Sequence, residues 1–213
     1  MGTRPLSLWR FAAVLVLALM GTAATAAQER VALVFGDSLM AGYGLGPSEG
    51  FVPQLQAALG ELGLTEWRLE NGAISGDTTQ SGLDRLDWAL GSAPDAVLLG
   101  LGANDMLQGI APERVRSNLD AMIARIEASG AEVMLFGMMA NRGLGPEYVA
   151  QFDAIYPDLA REYDLALDAF FLDGVVGDRT LNLGDGVHPN AEGIARIVER
   201  VAPEVKAFLE SVD

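Results

Sequence analysis

The 213-residue chain contains no cysteine and only one histidine, His188. Without cysteine there is no disulfide framework, no thiol nucleophile and no thiolate metal site. A zinc centre built from several imidazoles is excluded as well, and any imidazole chemistry must fall on His188. Half of the residues are apolar and 20% are charged, which excludes disorder and predicts one globular domain with a sizeable core.

Basic residues are also scarce. The chain has 14 Lys and Arg against 29 Asp and Glu, which gives a formal net charge of −15. A surface with this charge repels phosphate backbones and anionic lipid headgroups, so we do not expect nucleic acid as a partner. The charge indicates solubility and says little about chemistry.

The first 27 residues are predicted to be a signal peptide. Arg4 and Arg10 form a basic leader, ten strongly apolar residues follow, and small residues then offer a cleavage site. A retained anchor is the alternative, but a spanning helix needs ~20 apolar residues. We therefore expect cleavage, no stable membrane anchor, a single mature domain at 28–213, and export to the periplasm or the medium.

After the leader, apolar and amphipathic segments alternate. Continuous apolar runs at 31–35, 96–101 and 132–139 predict buried strands, and 66–70 alternates as a half-buried strand does. Four apolar faces at helical spacing predict helices: Phe51, Leu55, Leu59 and Leu62; Val115, Leu119, Met122 and Ile126; Tyr148, Phe152, Ile155 and Leu159; Ile194, Ile197, Val201, Val205 and Phe208.

Proline and glycine suggest where these helices begin and end. One helix is predicted from Pro112 to Gly130, Pro189 is predicted to open the last helix, and Pro157 to kink or split the third. Alternating strands and helices predict an α/β fold with a parallel sheet covered on both faces. In such sheets ligands bind beyond the carboxyl ends of the strands.

The first predicted strand ends at Gly36-Asp37-Ser38. This sequence suits a helix cap, and it equally suits a nucleophilic Ser38. It differs from the G-x-S-x-G elbow of α/β-hydrolases, because Met40 stands where the second glycine would be.

Two other strand ends carry potential hydrogen-bond donors. Gly76, between Ser75 and Asp77, is either a turn residue or a position that presents its backbone N–H to a site. Asn104 either stabilises a turn or directs its side-chain amide at a developing negative charge. Backbone and Asn donors together are what an oxyanion hole requires.

Near the C-terminus, Asp185 and His188 lie three residues apart in a glycine-rich loop. A lone histidine is commonly structural, but this one has a carboxylate within local reach. A serine hydrolase needs a base that takes the hydroxyl proton and an acid that orients the base. Together the strand-end and loop segments supply a nucleophile, oxyanion donors, a base and its orienting acid.

The blocks "GDSLMAGYG", "ISGDTT", "LGANDM" and "DGVHP" occur in this order along the chain. They resemble the four signature blocks of the SGNH, or GDSL-type, hydrolases, which are named for a Ser, Gly, Asn and His, here Ser38, Gly76, Asn104 and His188. The resemblance spans nearly the whole mature chain. It is strongest to the bacterial periplasmic branch that includes acyl-CoA thioesterases, lysophospholipases and arylesterases.

The resemblance implies a flavodoxin-like three-layer α/β/α fold and hydrolysis of carboxylic esters or thioesters, without a metal or organic cofactor. It also implies catalysis by Ser38, Asp185 and His188, with an oxyanion hole formed by Ser38, Gly76 and Asn104. One departure is Ala103, where this branch usually has a second glycine. Its methyl group is expected either to alter the loop backbone or to narrow the acyl entrance.

We expect a small-molecule acyl ester or thioester as substrate, bound by Leu107, Ile110, Met139 and Leu144. The segment 138–148 that contains the last two is equally well described as an ordinary loop. The alternatives are a carbohydrate acetylesterase of the same superfamily and, less favoured, a non-catalytic acyl-binding protein. A monomer is slightly favoured over an oligomer.

Overall fold

The computed structural model describes residues 1–2 and 30–212. The predicted signal peptide at 1–27 falls almost entirely outside the described residues and stays a prediction. Within the described part of the chain, no helix combines the length and the hydropathy that crossing a membrane requires.

The centre of the molecule is a parallel sheet. Its strands are β1 (Arg30–Gly36), β2 (Trp67–Asn71), β3 (Ala96–Gly100), β4 (Glu132–Phe136) and β5 (Ala166–Asp168). They are arranged in the order β2-β1-β3-β4-β5, and every neighbouring pair is parallel. The side chains of β1 and β3 are almost all buried, as expected for strands covered on both faces.

Helices cover this sheet. They are α1 (Ser38–Ala41), α2 (Phe51–Glu61), α3 (Thr79–Ala89), α4 (Ala103–Leu107), α5 (Pro112–Ala128), α6 (Pro146–Tyr163) and α7 (Ala191–Ser211). Helix α2 packs with α7, whereas α5 packs with both α3 and α6. The predicted three-layer α/β/α fold is confirmed.

Three details of the helices differ from the predictions. Pro157 lies inside a continuous α6 and does not split it, because the buried face around Phe152, Tyr156 and Leu159 holds the helix against the core. Pro189 does not open α7: Asn190 caps that helix by accepting a hydrogen bond from the N–H of Gly193. Leu62 lies beyond the end of α2 and is exposed.

Short segments also differ. The strand predicted at 132–139 ends at Phe136, and the helix predicted to reach Gly130 ends at Ala128. Strand β5, which has only three residues, lacks the long apolar pattern by which the other strands were predicted. These shifts leave the carboxyl edge of the sheet, where the candidate site lies, as predicted.

Candidate active site

The sheet brings two predicted site residues together. Strands β1 and β3 are neighbours, but β1 leads to β2 on one side and β3 leads to β4 on the other. Ligands bind beside such a switch point in open α/β sheets. Ser38 begins α1 just after β1, and Asn104 lies in α4 just after β3.

His188 links the end of β1 to the loop before α7. Its Nε2 lies 2.9 Å from the Oγ of Ser38, and its Nδ1 lies 2.7 Å from Oδ2 of Asp185. An ionised carboxylate can only accept hydrogen bonds, so Nδ1 carries the proton. Nε2 is then free to accept the hydroxyl proton of Ser38, which is the arrangement of a general base beside a nucleophile.

Asp185 is fixed by its own loop. Its Oδ1 accepts hydrogen bonds from the backbone N–H groups of Val187, at 2.9 Å, and of His188, at 3.1 Å. These two bonds, together with the bond to the imidazole, lower the pKa of Asp185 to about 2. The carboxylate is ionised at neutral pH, and its exposure to solvent favours the same charged form.

Each predicted oxyanion donor has an N–H group that is not used in a hydrogen bond within the described part of the chain. Among the described residues, the backbone N–H groups of Ser38 and Gly76 have no hydrogen-bond acceptor. Gly76 has a φ of +91°, a left-handed conformation that favours glycine. The Asn104 amide donates one N–H to the carbonyl of Asp77 at 2.9 Å, which leaves its second N–H for a ligand.

A buried polar network fixes α4 next to Asn104. Asp105 accepts hydrogen bonds from the backbone N–H of Thr79 at 2.8 Å and from its hydroxyl at 2.6 Å. The side-chain amide of Asn118 in turn donates to the Thr79 hydroxyl at 3.0 Å. The start of α3 is thereby tied to α4 and α5.

Arg85, on α3, joins the end of β1 to the connection that follows β2. Its Nε donates to the carboxylate of Asp77 at 2.5 Å, and its terminal nitrogens donate to the carbonyls of Gly72 and Gly36 at 2.8 and 3.3 Å. The guanidinium also lies 3.9 Å from the ring centroid of Phe35. Asp77 follows Gly76 directly, and the backbone carbonyl of Asp77 accepts a hydrogen bond from the Asn104 amide. By holding Asp77, Arg85 therefore positions both of these predicted oxyanion residues indirectly.

Of the two sequence interpretations of Gly36-Asp37-Ser38, the helix cap is confirmed, and the nucleophilic Ser38 stays a prediction. Asp37 is the helix cap, and its Oδ1 accepts the N–H of Leu39 at 3.0 Å. Burial raises the pKa of Asp37 to about 7, against the opposing effect of that hydrogen bond. Ser38 is left with its hydroxyl directed at His188.

The backbone just before α4 requires a glycine at position 102. Gly102 has a φ of +123°, and a Cβ atom there would lie 2.1 Å from the hydroxyl of Tyr156, which donates to the carbonyl of Leu101 at 2.8 Å. Ala103 is the first residue of α4 and lines the site cavity. Ala103 therefore lies at the cavity wall, and the narrowing of the acyl entrance by its methyl group stays a prediction.

A cavity of about 560 Å³ opens beside Ser38 and His188, within the size range of small-molecule sites. Of the predicted substrate-binding residues, Leu107 and Met139 line it, whereas Ile110 and Leu144 are not at its wall. The carbonyl of Ile110 instead accepts the hydroxyl of Tyr148. Within residues 1–2 and 30–212, no three His, Cys, Asp or Glu side chains are grouped as a metal site requires.

Sequence reasoning missed much of the apolar wall. It includes Leu39, Met106, Phe170, Leu172, Val176 and Val187. Leu39 and Val187 immediately follow Ser38 and precede His188, so proximity in sequence was a usable signal for them. Phe170, Leu172 and Val176 lie in an irregular connection between β5 and α7 that has no periodic pattern.

Comparison with known proteins identifies relatives across most of the chain. Residues 34–196 match the GDSL-like lipase/acylhydrolase family. The chain is 39% identical over 184 residues to esterase TesA of Pseudomonas aeruginosa, covering 86% of this chain and 91% of that protein. It is 41% identical over 196 residues to an arylesterase of Vibrio mimicus, covering 92% and 97% respectively.

A third relative is thioesterase 1/protease 1/lysophospholipase L1 of Escherichia coli strain K12. It is 34% identical over 185 residues, with 86% of this chain and 87% of that protein covered. The crystal structure of TesA matches with a TM-score of 0.79 at 38% identity, covering 84% of this chain and 99% of that one. A Pseudoalteromonas esterase, EstA, in a structure inhibited by monoethylphosphonate, gives 0.80 at 31% identity, with 85% and 100% covered.

Proposed function

Because the chain belongs to the GDSL-like lipase/acylhydrolase family and is an ester hydrolase, we propose that Ser38 carries the acyl group in its reaction. The observation that carries this proposal is the continuous link from Ser38 Oγ to His188 Nε2, at 2.9 Å, and from His188 Nδ1 to Asp185, at 2.7 Å. The first distance allows direct proton transfer between Ser38 and His188, and the second allows Asp185 to orient the imidazole. No member of the set is missing, as it would be in a non-catalytic acyl-binding protein.

The first half of the reaction forms an acyl-enzyme. His188 Nε2 takes the hydroxyl proton as Ser38 Oγ bonds to the acyl carbon, and the carbonyl oxygen becomes an oxyanion. The N–H groups of Ser38 and Gly76 and the free N–H of Asn104 are the donors that receive this charge. Asp185 fixes the imidazole tautomer and stabilises the imidazolium.

The second half releases the acid. His188 gives its proton to the departing alcohol or thiol, and then takes a proton from water as that water attacks the acyl carbon. The tetrahedral intermediate collapses, the bond to Ser38 Oγ breaks, and the proton returns from His188 to the serine. No step requires a group from outside the chain other than water.

The cavity favours apolar acyl groups over acetylated sugars. Apart from Arg142 and the Ser38, Asn104, Asn141 and His188 side chains, its wall is built from apolar residues and glycine. Arg142 is already paired with Asp153 at 2.5 Å. This cavity suits the apolar acyl group of an ester, and a thioester carries the same acyl group.

A fluorophosphonate probe tests the assignment. It should label the wild-type protein once, on the peptide containing Ser38, and should leave Ser38→Ala unlabelled. Esters of p-nitrophenol with increasing acyl length, assayed beside acyl thioesters and acetylated xylan, then define the substrate. Labelling at another residue, or normal ester hydrolysis by Ser38→Ala, would refute the role of Ser38; faster release of acetate from the sugar would favour the acetylesterase.

We also propose that the protein is exported and that residues 1–27 are removed. The basic leader, the ten-residue apolar run and the small residues after it support this. Amino-terminal sequencing of protein recovered from the periplasm or medium should begin near residue 28. A first residue of Met1 in a membrane-bound fraction would contradict cleavage.

A further inference from the structure

Tyr43 contacts the imidazole but has no part in the mechanism above. Its ring centroid lies 4.5 Å from that of His188, with 36° between the ring planes. Tyr43 is 52% exposed, so burial in the core does not explain its position. Among the described residues, Tyr43 is the only one whose aromatic ring packs against the imidazole of His188.

The loop that carries Tyr43 is attached to both sides of the site. The backbone N–H of Tyr43 donates to the carbonyl of Ser38 at 3.3 Å. On the other side, Gly44 packs so closely against Leu183 that a Cβ atom would lie 2.9 Å from its Cδ1. The N–H of Leu183 donates to the carbonyl of His188 at 2.8 Å. The ring is therefore placed relative to both Ser38 and His188.

The edges of the imidazole are already occupied. Asp185 faces Nδ1 and Ser38 faces Nε2, and the buried carboxyl of Asp37 interacts electrostatically with the imidazole from the end of β1. The ring of Tyr43 stands against a face. An aromatic face is the negative part of the ring quadrupole, and it attracts a cation whose centre lies within about 6 Å.

The imidazole is a cation only in part of the cycle. It is neutral while it waits to accept the serine proton, and it becomes an imidazolium as each tetrahedral intermediate forms. An interaction that strengthens at that moment lowers the barrier, whereas one present equally in both states does not. We propose that Tyr43 is a positioning residue whose ring stabilises the charged form of His188. This proposal rests on the proposed function.

The proposal predicts two linked effects of removing the ring. Tyr43→Leu should lower kcat/KM at its pH plateau by about two- to fivefold, the range of an exposed cation–π contact. In the plot of kcat/KM against pH, the acidic limb should also move to lower pH by about 0.4–0.7 units. The reason is that the imidazolium loses the same stabilisation in the free enzyme, so His188 is protonated only at lower pH. A ring that only filled space would lower the plateau and leave the limb in place.

The lone histidine allows a direct measurement. In protein labelled with ¹⁵N-histidine and carrying no histidine tag, every imidazole signal belongs to His188. The NMR titration midpoint should move down in Tyr43→Leu and stay at the wild-type value in Tyr43→Phe, which keeps the ring. Trp88→Leu, which removes an exposed aromatic ring on α3, is the matched control and should change neither the midpoint nor kcat/KM.

Three outcomes would overturn the proposal: an unmoved midpoint in Tyr43→Leu, a loss of rate without a shift of the acidic limb, or a Tyr43→Phe variant that behaves like Tyr43→Leu. Fluorophosphonate labelling of Ser38 separates this failure from failure of the proposed function. Labelling of all variants with no shift refutes the role of Tyr43 alone, and an unlabelled wild type refutes the acyl-enzyme.

Discussion

Asp185 and Asp105 each hold a residue that is proposed to act in the reaction, but they do so in opposite surroundings. The Asp185 side chain is 40% exposed and its partners lie two and three residues away in the same loop. Asp105 is fully buried, and its partner Thr79 comes from a different helix. We call residues 184–189 the base loop, and we call Asp77, Thr79, Arg85, Asn104, Asp105 and Asn118 together the oxyanion wall.

The difference lies in what each part depends on. The base loop is organised by local hydrogen bonds, so its geometry needs little help from the rest of the fold. The oxyanion wall joins α3, α4 and α5 to the ends of the strands, so its geometry and the stability of the domain depend on the same contacts. Substitutions in the base loop should therefore affect activity alone, whereas those in the wall should affect both.

The largest effect is expected in the base loop. Asp185→Asn removes the carboxylate that fixes the imidazole tautomer, and kcat should fall by about 10³- to 10⁴-fold. Because the replaced side chain is exposed, the midpoint of thermal unfolding should move by no more than about 2 °C. Assays with a p-nitrophenyl ester and a calorimetric scan measure the two quantities.

Asp178→Asn is the matched control for that variant. Asp178 is also exposed, also has a lowered pKa, and bonds Thr180 in a neighbouring loop, but it contacts no proposed catalytic residue. Its substitution should leave kcat unchanged. Retention of more than a tenth of the activity by Asp185→Asn would show that the base loop does not orient His188.

The next effect is expected at Asn104, the member of the oxyanion wall that lines the cavity. Asn104→Ala removes one of the proposed oxyanion donors, and kcat should fall by about 10²- to 10³-fold. KM should change little, because the donor acts on charge that develops only in the transition state. A kcat within threefold of wild type, measured over the same ester series, would remove Asn104 from the oxyanion hole.

The base loop could be predicted from the sequence more completely than the oxyanion wall. The pair Asp185 and His188 is local, so spacing alone suggested it, and the strand ends carrying Ser38 and Asn104 meet because parallel strands share a carboxyl edge. Arg85 and Asn118 sit on amphipathic helices where polar residues ordinarily face solvent. Only the packing of α3 against α5 and the strand ends turns them inward, and no local pattern encodes that contact.

Smaller effects on activity are expected from Arg85, deeper in the wall. Arg85→Met leaves the Asp77 carboxylate, only 11% exposed, without its partner. Stability should fall by about 3 kcal/mol, and kcat/KM by about tenfold because the Asp77 carbonyl would no longer hold Asn104 as firmly. Urea unfolding and ester hydrolysis measure these losses.

Arg125→Met is the control for this variant. Arg125 pairs with Asp87 at 3.7 Å, but those side chains are 49% and 82% exposed, so stability should change by less than about 1 kcal/mol. Adding Asp77→Asn to Arg85→Met should recover part of the lost stability by removing the unpaired charge. An Arg85→Met variant as stable and active as Arg125→Met would show that the wall does not couple fold and site.

The last effect is on the pH dependence of stability, and it concerns Asp37, a buried residue that belongs neither to the base loop nor to the oxyanion wall. Its pKa is raised from 3.8 to about 7 by burial, so between these pH values the folded chain keeps a proton that the unfolded chain has lost. The unfolding free energy contributed by Asp37 is therefore greatest below about pH 4. It falls as the pH rises toward 7 and then levels off.

Asp37→Asn removes this dependence while its side-chain oxygen can still accept the N–H of Leu39. The variant should gain stability over wild type as the pH rises from 4 to 8, by up to about 2–4 kcal/mol. Urea unfolding of both proteins at pH 4, 6 and 8 measures this difference. A stability difference independent of pH would mean that Asp37 is ionised in the folded state throughout, and that the buried end of β1 solvates charge as well as the exposed base loop does.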